Sequence, residues 1–204
     1  MSAERENRPG GFWRDNSLTL AFGGAFLLVL AGQAVAGHAG FNEDLAVDGL
    51  QQLTIGEYLM SSDFAVDVSE NWQSEFLQFF LYIFGTVWLL QRGSPESKKL
   101  HKAGPESDRE QRVGDHATAD SPRWAGSKGW RQKLYSRSLG IVMATLFFLS
   151  WLAQSIAGAA AYDEQQLRRL QAPISWGAYL ASADFWNRSL QNWQSELLAV
   201  AAKA

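Results

Sequence analysis

The chain has 204 residues, 47% of them hydrophobic and 19% charged, with a formal net charge of -3 and no cysteine. This size suits one ordinary domain or a small membrane bundle, and the charge excludes a strongly basic nucleic-acid binder. Without cysteine there is no disulfide framework, thiol catalysis or cysteine metal site.

The first 16 residues form an N-terminal segment that ends in Arg14, Asp15 and Asn16. Leu18 to Ala36 then runs without a charge for about 19 residues, long enough for a helix to cross a hydrocarbon core of about 30 Å. A core helix of a soluble protein normally keeps a polar face, and this run has almost none. A competing reading is a signal peptide cleaved after Ala34-Val35-Ala36; a similar small-residue pattern deep inside the chain (Ser155 to Ala161) weighs against it. Gln33 and Gly37 are read as helix-packing residues, since a buried glutamine holds helices together and the Gly32/Ala36 pair allows close approach.

His38 to Asn71 carries seven acidic residues and no Lys or Arg. Within it Thr54-x-x-Glu57 predicts a capping box for a short helix, and Asp63 is the expected N-cap of the next. If that helix continues, Asn71, Glu75, Gln78 and Tyr82 share one face as it enters the membrane. Phe76 to Leu90 is read as a further span, with Trp72 and Trp88 as interfacial anchors. The linker from Arg92 to Arg137 holds eleven Lys and Arg and is rich in Gly, Pro and Ser. Its composition predicts a disordered tether, and its basicity places it and the N-terminus in the cytoplasm.

The remainder, 138–204, repeats 17–83: at a shift of 121, about 21 of 67 positions match without gaps. Gln154 and Gly158 answer Gln33 and Gly37, Asp184-Phe185 answers Asp63-Phe64, and Asn-Trp-Gln-Ser-Glu occurs at both 71–75 and 192–196. Leu139 to Ala161 is the corresponding span. After Glu196 only six apolar residues precede Lys203, about 9 Å of helix, so the last span is expected to be truncated. The expected fold is all-α: an integral membrane helical bundle of two tandem two-span units, 17–91 and 138–204, the second incomplete. Two spans per unit give both copies one orientation, related by an axis along the membrane normal.

Ionisable groups at a span's edge normally face protein or water rather than lipid. Asn71, Trp72 and Glu75, with Asn192, Trp193 and Glu196, therefore form the candidate polar site at the membrane edge. The three histidines stand apart without metal-ligand spacing, and no phosphate loop or nucleophile set occurs. The expectation is a non-enzyme with no cofactor, metal or nucleic-acid partner. Its partners are the lipid bilayer and either a second copy or a helper chain that completes the last span. The leading role is structural or interactive in the cytoplasmic membrane; the alternative is a small channel or proton- or cation-coupled carrier using Glu75 and Glu196.

Gly32-Gln-Ala-Val-Ala-Gly37, Gly56-Glu-Tyr-Leu-Met-Ser-Ser-Asp-Phe64, Asn71-Trp-Gln-Ser-Glu-Phe-Leu-Gln78 and Arg92-Gly-Ser-Pro-Glu-Ser-Lys98 follow one another in order. This series resembles a family of small bacterial membrane proteins classed as a domain of unknown function. The resemblance implies a multi-pass protein of about four spans and carries no activity, substrate or cofactor.

Overall fold

The computed structural model describes residues 11–94, 97–99 and 101–203. The first ten residues of the N-terminal segment, and Pro95 and Glu96 of the Arg92 to Lys98 motif, lie outside the described residues. Among the described residues the chain is helical, without a strand: α1 (Phe12–Asp15), α2 (Ser17–Val47), α3 (Ile55–Leu59), α4 (Ser62–Trp88), a 3-10 turn at Gly114–His116, α5 (Trp130–Ser136), α6 (Ser138–Arg168), α7 (Trp176–Leu180) and α8 (Ala183–Lys203). The same series occurs twice at an offset of 121: α2 and α6 have 31 residues each, and α3 and α7 have 5 each.

Two of these helices, α2 and α6, are long and apolar enough to cross a membrane, with mean hydropathy of 1.9 and 1.8 over their most apolar stretches. Thirty-one residues reach about 46 Å, longer than a hydrocarbon core of about 30 Å. The expected span Phe76 to Leu90 is not among them. Helix α4 opens with Asp63, Asp67, Glu70 and Glu75, and its uncharged part from Phe76 to Trp88 is only about 20 Å long.

The chain divides into two compact units, 1–64 and 65–204. In the first, α2 ends in a Schellman motif: Gly49 takes φ +69°, its N–H bonds to Ala46 O at 3.1 Å, and the Leu50 N–H bonds to Leu45 O at 2.8 Å. Asn42, in the last turns of α2, ties down the returning loop by accepting from Leu53 N and donating to Leu53 O, both at 2.8 Å. The His38 ring donates to the same carbonyl at 2.7 Å. Helix α3 starts with the expected capping box between Thr54 and Glu57. It delivers Tyr58, only 2% exposed, against His38, Phe41 and Phe64. The Tyr58 hydroxyl lies over Gly37, where a Cβ would meet Cζ at 3.1 Å.

The second unit repeats these devices with different residues. Asp163 accepts from Ile174 N at 2.9 Å, as Asn42 does from Leu53. Tyr179, fully buried, covers Gly158. The end of α6 is again a Schellman motif, with Leu170 N–H on Leu167 O at 3.0 Å and Gln171 N–H on Gln166 O at 2.8 Å. Here the left-handed position, φ +57°, is occupied by Leu170, which is 97% exposed. Gly140 lets the start of α6 approach α4, since a Cβ there would meet Phe84 at 2.9 Å. The N-caps of α4 and α8 are Ser61 and Ser182, whose hydroxyls accept from Phe64 N and Phe185 N at 3.2 Å. Asp63 and Asp184, the expected caps, stand two positions further in; Asp184 bonds to side chains instead.

The stretch from Arg92 to Arg137, expected as a disordered tether, carries local structure that its composition does not announce. Ser107 and Glu110 exchange capping bonds, Gly114 N–H bonds to Ala125 O at 2.7 Å, and Gln132 of α5 donates to Asp108 at 2.8 Å. Val113 and Ala125 are buried beneath these turns. Hydrogen bonds within the stretch hold these turns.

Candidate functional site

Within the second unit, α4, α6, α7 and α8 bring together a layer of polar side chains. Glu70 and Gln73 sit three residues apart on α4 and so share a face. The Arg188 guanidinium, from α8, reaches Glu70 Oε1 through Nη1 and Asp184 Oδ2 through Nε, each at 3.2 Å. The Tyr179 hydroxyl of α7 donates to the same Asp184 oxygen at 3.2 Å. Trp193 Nε1 donates to Gln73 Oε1 at 2.8 Å, and Trp151 Nε1 donates to Ser189 at 3.1 Å. Gln73, Gln154 and Ser189 are completely buried.

The charges in this layer are not balanced by simple pairing. Burial pushes the Glu70 carboxyl above its ordinary pKa; Arg188 pulls it back without cancelling the burial, and neighbouring Asp67 adds to the rise. Burial also opposes the Arg188 charge, but Glu70 and then Asp184 more than restore it, so the guanidinium stays charged. The Tyr179 hydroxyl is pushed up, first by burial and then by Asp184, and remains a neutral donor.

Gln154 reaches toward the Glu70 carboxylate, yet neither its Nε2 nor its Oε1 makes a formed hydrogen bond. The Nε2 of Gln73 is likewise buried without a partner. Because Trp193 occupies Gln73 Oε1, the orientation of that amide is fixed and its free atom is a donor. Nothing fixes Gln154.

Beside the polar layer lies an apolar groove of about 290 Å³, walled by Phe148, Trp151, Trp176, Leu180, Phe185 and Trp186. Its polar atoms are occupied, with Trp176 Nε1 on Ser155 at 3.3 Å. At the matching positions of the first copy stand Leu27, Leu30, Ile55, Leu59, Phe64 and Ala65, so the groove's aromatic character belongs to the second copy.

The residues singled out from the sequence fall into three groups. Asn71 and Asn192 turn back onto their own helices, donating to Asp67 O and Arg188 O at 3.3 and 3.0 Å. Glu75 is exposed and Trp72 is 44% exposed, whereas Trp193 joins the polar layer. Glu196 is half-buried; burial and the nearby Glu75 charge both raise its pKa, so the two carboxylates are close enough to repel. Of the packing residues, Gly37 and Gly158 each carry a tyrosine, Gln154 is at the centre of the layer, and Gln33 is half-buried on α2. The sequence reading missed Glu70, Gln73 and the role of Arg188. One signal was available: at the offset of 121, Asp67 aligns with Arg188, a reversal of charge that suits pairing between copies.

No group of three or more His, Asp or Glu able to hold a metal occurs among the described residues. The fold and site define an all-helical protein with two long apolar helices and an interior polar layer. Over residues 10–204 the chain matches the family described as a domain of unknown function (DUF6766), and it belongs to that family. No curated protein and no solved structure matches it.

Proposed function

We propose that this is a multi-pass protein of the cytoplasmic membrane with a structural or interaction role, its N-terminus and the 92–137 stretch in the cytoplasm. The observation that carries this reading is the bare apolar surface of α2. Leu18, Phe22, Leu27, Leu28 and Val29 are each more than about 60% exposed. At about 2 kcal/mol per side chain left in water, these five alone forfeit about 10 kcal/mol, as much as the whole stability of a typical domain. Lipid removes that cost. In this reading the turns of α2 and α6 that exceed the hydrocarbon thickness extend into the headgroup region. The bilayer is the first partner in this reading, and a second copy or a helper chain is a further one. No catalytic step, cofactor or nucleic acid enters this reading.

The test is alkaline carbonate extraction of membranes from cells expressing the full chain; the protein is expected to stay in the pellet, and its release into the supernatant would overturn the reading. The absence of cysteine makes topology direct to read. A single cysteine at Gln51 is expected to react with an impermeant maleimide in intact cells, and one at Lys128 only after permeabilisation.

The mutual repulsion of Glu75 and Glu196 favours a second reading, a small proton- or cation-coupled carrier. It expects flux in proteoliposomes that Glu75→Gln abolishes; proteoliposomes without flux remove it.

A further inference from the structure

We propose that Glu70 is a proton-binding site, read by Gln154, whose carboxamide presents its N–H to the ionised carboxylate and its C=O to the protonated one. The argument begins with a contrast between two buried amides. Gln73 is held in one orientation by Trp193, whereas Gln154 is completely buried with both amide atoms unpartnered. A buried amide without partners is costly, and Glu70 is the acidic side chain that Gln154 reaches. A carboxylate is an acceptor alone, whereas a carboxylic acid also donates through its O–H. Turning the amide over about its χ3 torsion exchanges its N–H and C=O and so suits either form.

Arg188 supplies the other half of the device. It is shared between Glu70 and Asp184 at equal distances of 3.2 Å, so loss of the Glu70 charge leaves it paired to Asp184 rather than stranded. The groups that face Glu70 are Asp67 on its own helix, Arg188 and Asp184 from α8, Tyr179 from α7 and Gln154 from α6. Burial is the largest influence on Glu70, Arg188 offsets part of it, and Asp67, whose own carboxyl burial also pushes up, adds to the rise. The site is separate from Glu75 and Glu196 and does not depend on the membrane reading, since every member lies in one compact unit.

The test is a pH titration of the full chain, labelled with ¹³C and ¹⁵N at Glu and Gln and held in detergent micelles, followed by NMR. The carboxyl resonance that disappears in Glu70→Gln is expected to titrate with a midpoint above the ordinary glutamate value of about 4.3. The side-chain amide peaks of Gln154 should move with the same midpoint and stand still in Glu70→Gln. Should that variant fail to fold, Gln154→Met, of similar size but without the amide, still assigns the Gln154 peaks by their loss; their movement with a carboxyl midpoint above about 4.3 in the unaltered protein carries the result. A Glu70 midpoint at or below the ordinary value, or Gln154 peaks that do not follow it, overturns the proposal.

Discussion

Adding a single methyl group at Gly158 tests how the C-terminal turns of α6 are held. In a helix interior alanine is favoured over glycine by about 1 kcal/mol, so an unobstructed Gly→Ala change stabilises. At Gly158 the new Cβ would overlap the Tyr179 hydroxyl and lie 3.1 Å from Cζ and 3.2 Å from Cε1. Tyr179 has nowhere to retreat: it is fully buried, its hydroxyl is bonded to Asp184, and Tyr162 and Phe185 flank the ring with centroids 5.6 Å away. Overpacking of this kind costs about 1–3 kcal/mol, so Gly158→Ala is expected to destabilise by about 1 kcal/mol net of the propensity gain. Gly32→Ala, with nothing within 4 Å of the added Cβ, is the control and should stabilise by about 1 kcal/mol. The two are compared by denaturant unfolding in detergent, followed by circular dichroism. Tyr179→Phe, which removes the overlapping hydroxyl, should recover most of the loss in the double variant. If Gly158→Ala stabilises as much as Gly32→Ala, the close approach of tyrosine to glycine is refuted.

Two further outcomes follow from features of the second unit. Leu170→Gly should raise stability by about 0.5–1 kcal/mol, because a leucine in the left-handed region bears a penalty of about 1–2 kcal/mol that glycine escapes, offset by glycine's greater unfolded entropy; thermal unfolding of the pair measures it. Arg188→Leu leaves Glu70 and Asp184 without their counter-charge and should destabilise by about 2–4 kcal/mol at neutral pH. The raised Glu70 pKa sets the sign of its pH dependence: the folded state holds the Glu70 proton more tightly than the unfolded chain, so its contribution is greatest in acid and falls as pH rises through the folded pKa. Removing Arg188 raises that pKa further, so the deficit of the variant should shrink on acidification. A deficit that grows in acid contradicts the assignment.

The sequence revealed the order of elements because local signals carry it. The shift of 121 paired Gly56-x-Tyr-Leu with Gly177-x-Tyr-Leu, and the capping box at Thr54 follows from two residues alone. The caps of α4 and α8 were misread by two positions, since Ser61 and Asp63 are both good capping residues and only the hydrogen bond to Phe64 N distinguishes them. The polar layer was largely hidden. Glu70 and Arg188 are 118 residues apart, and no local period connects them. Asn-Trp-Gln-Ser-Glu drew attention to Glu75 because it is repeated, yet its buried members are Gln73 and Ser74, which a helical wheel cannot distinguish from Trp72 and Glu75 without knowing which face α8 covers.

The reversal of charge between Asp67 and Arg188 has a consequence for how the copies choose each other. The contact joins position 67 of one copy to position 70 of the other, here as Arg188 to Glu70. Two first copies meeting in this register would set Asp67 against Glu70, anion on anion. Two second copies would leave Arg188 against Gln191, a cation with no counter-ion. Only the mixed encounter neutralises charge, so each half rejects its own kind and accepts its sibling. The charge reversal at position 67 thereby gives the pairing of the two copies a lock and its key on one polypeptide.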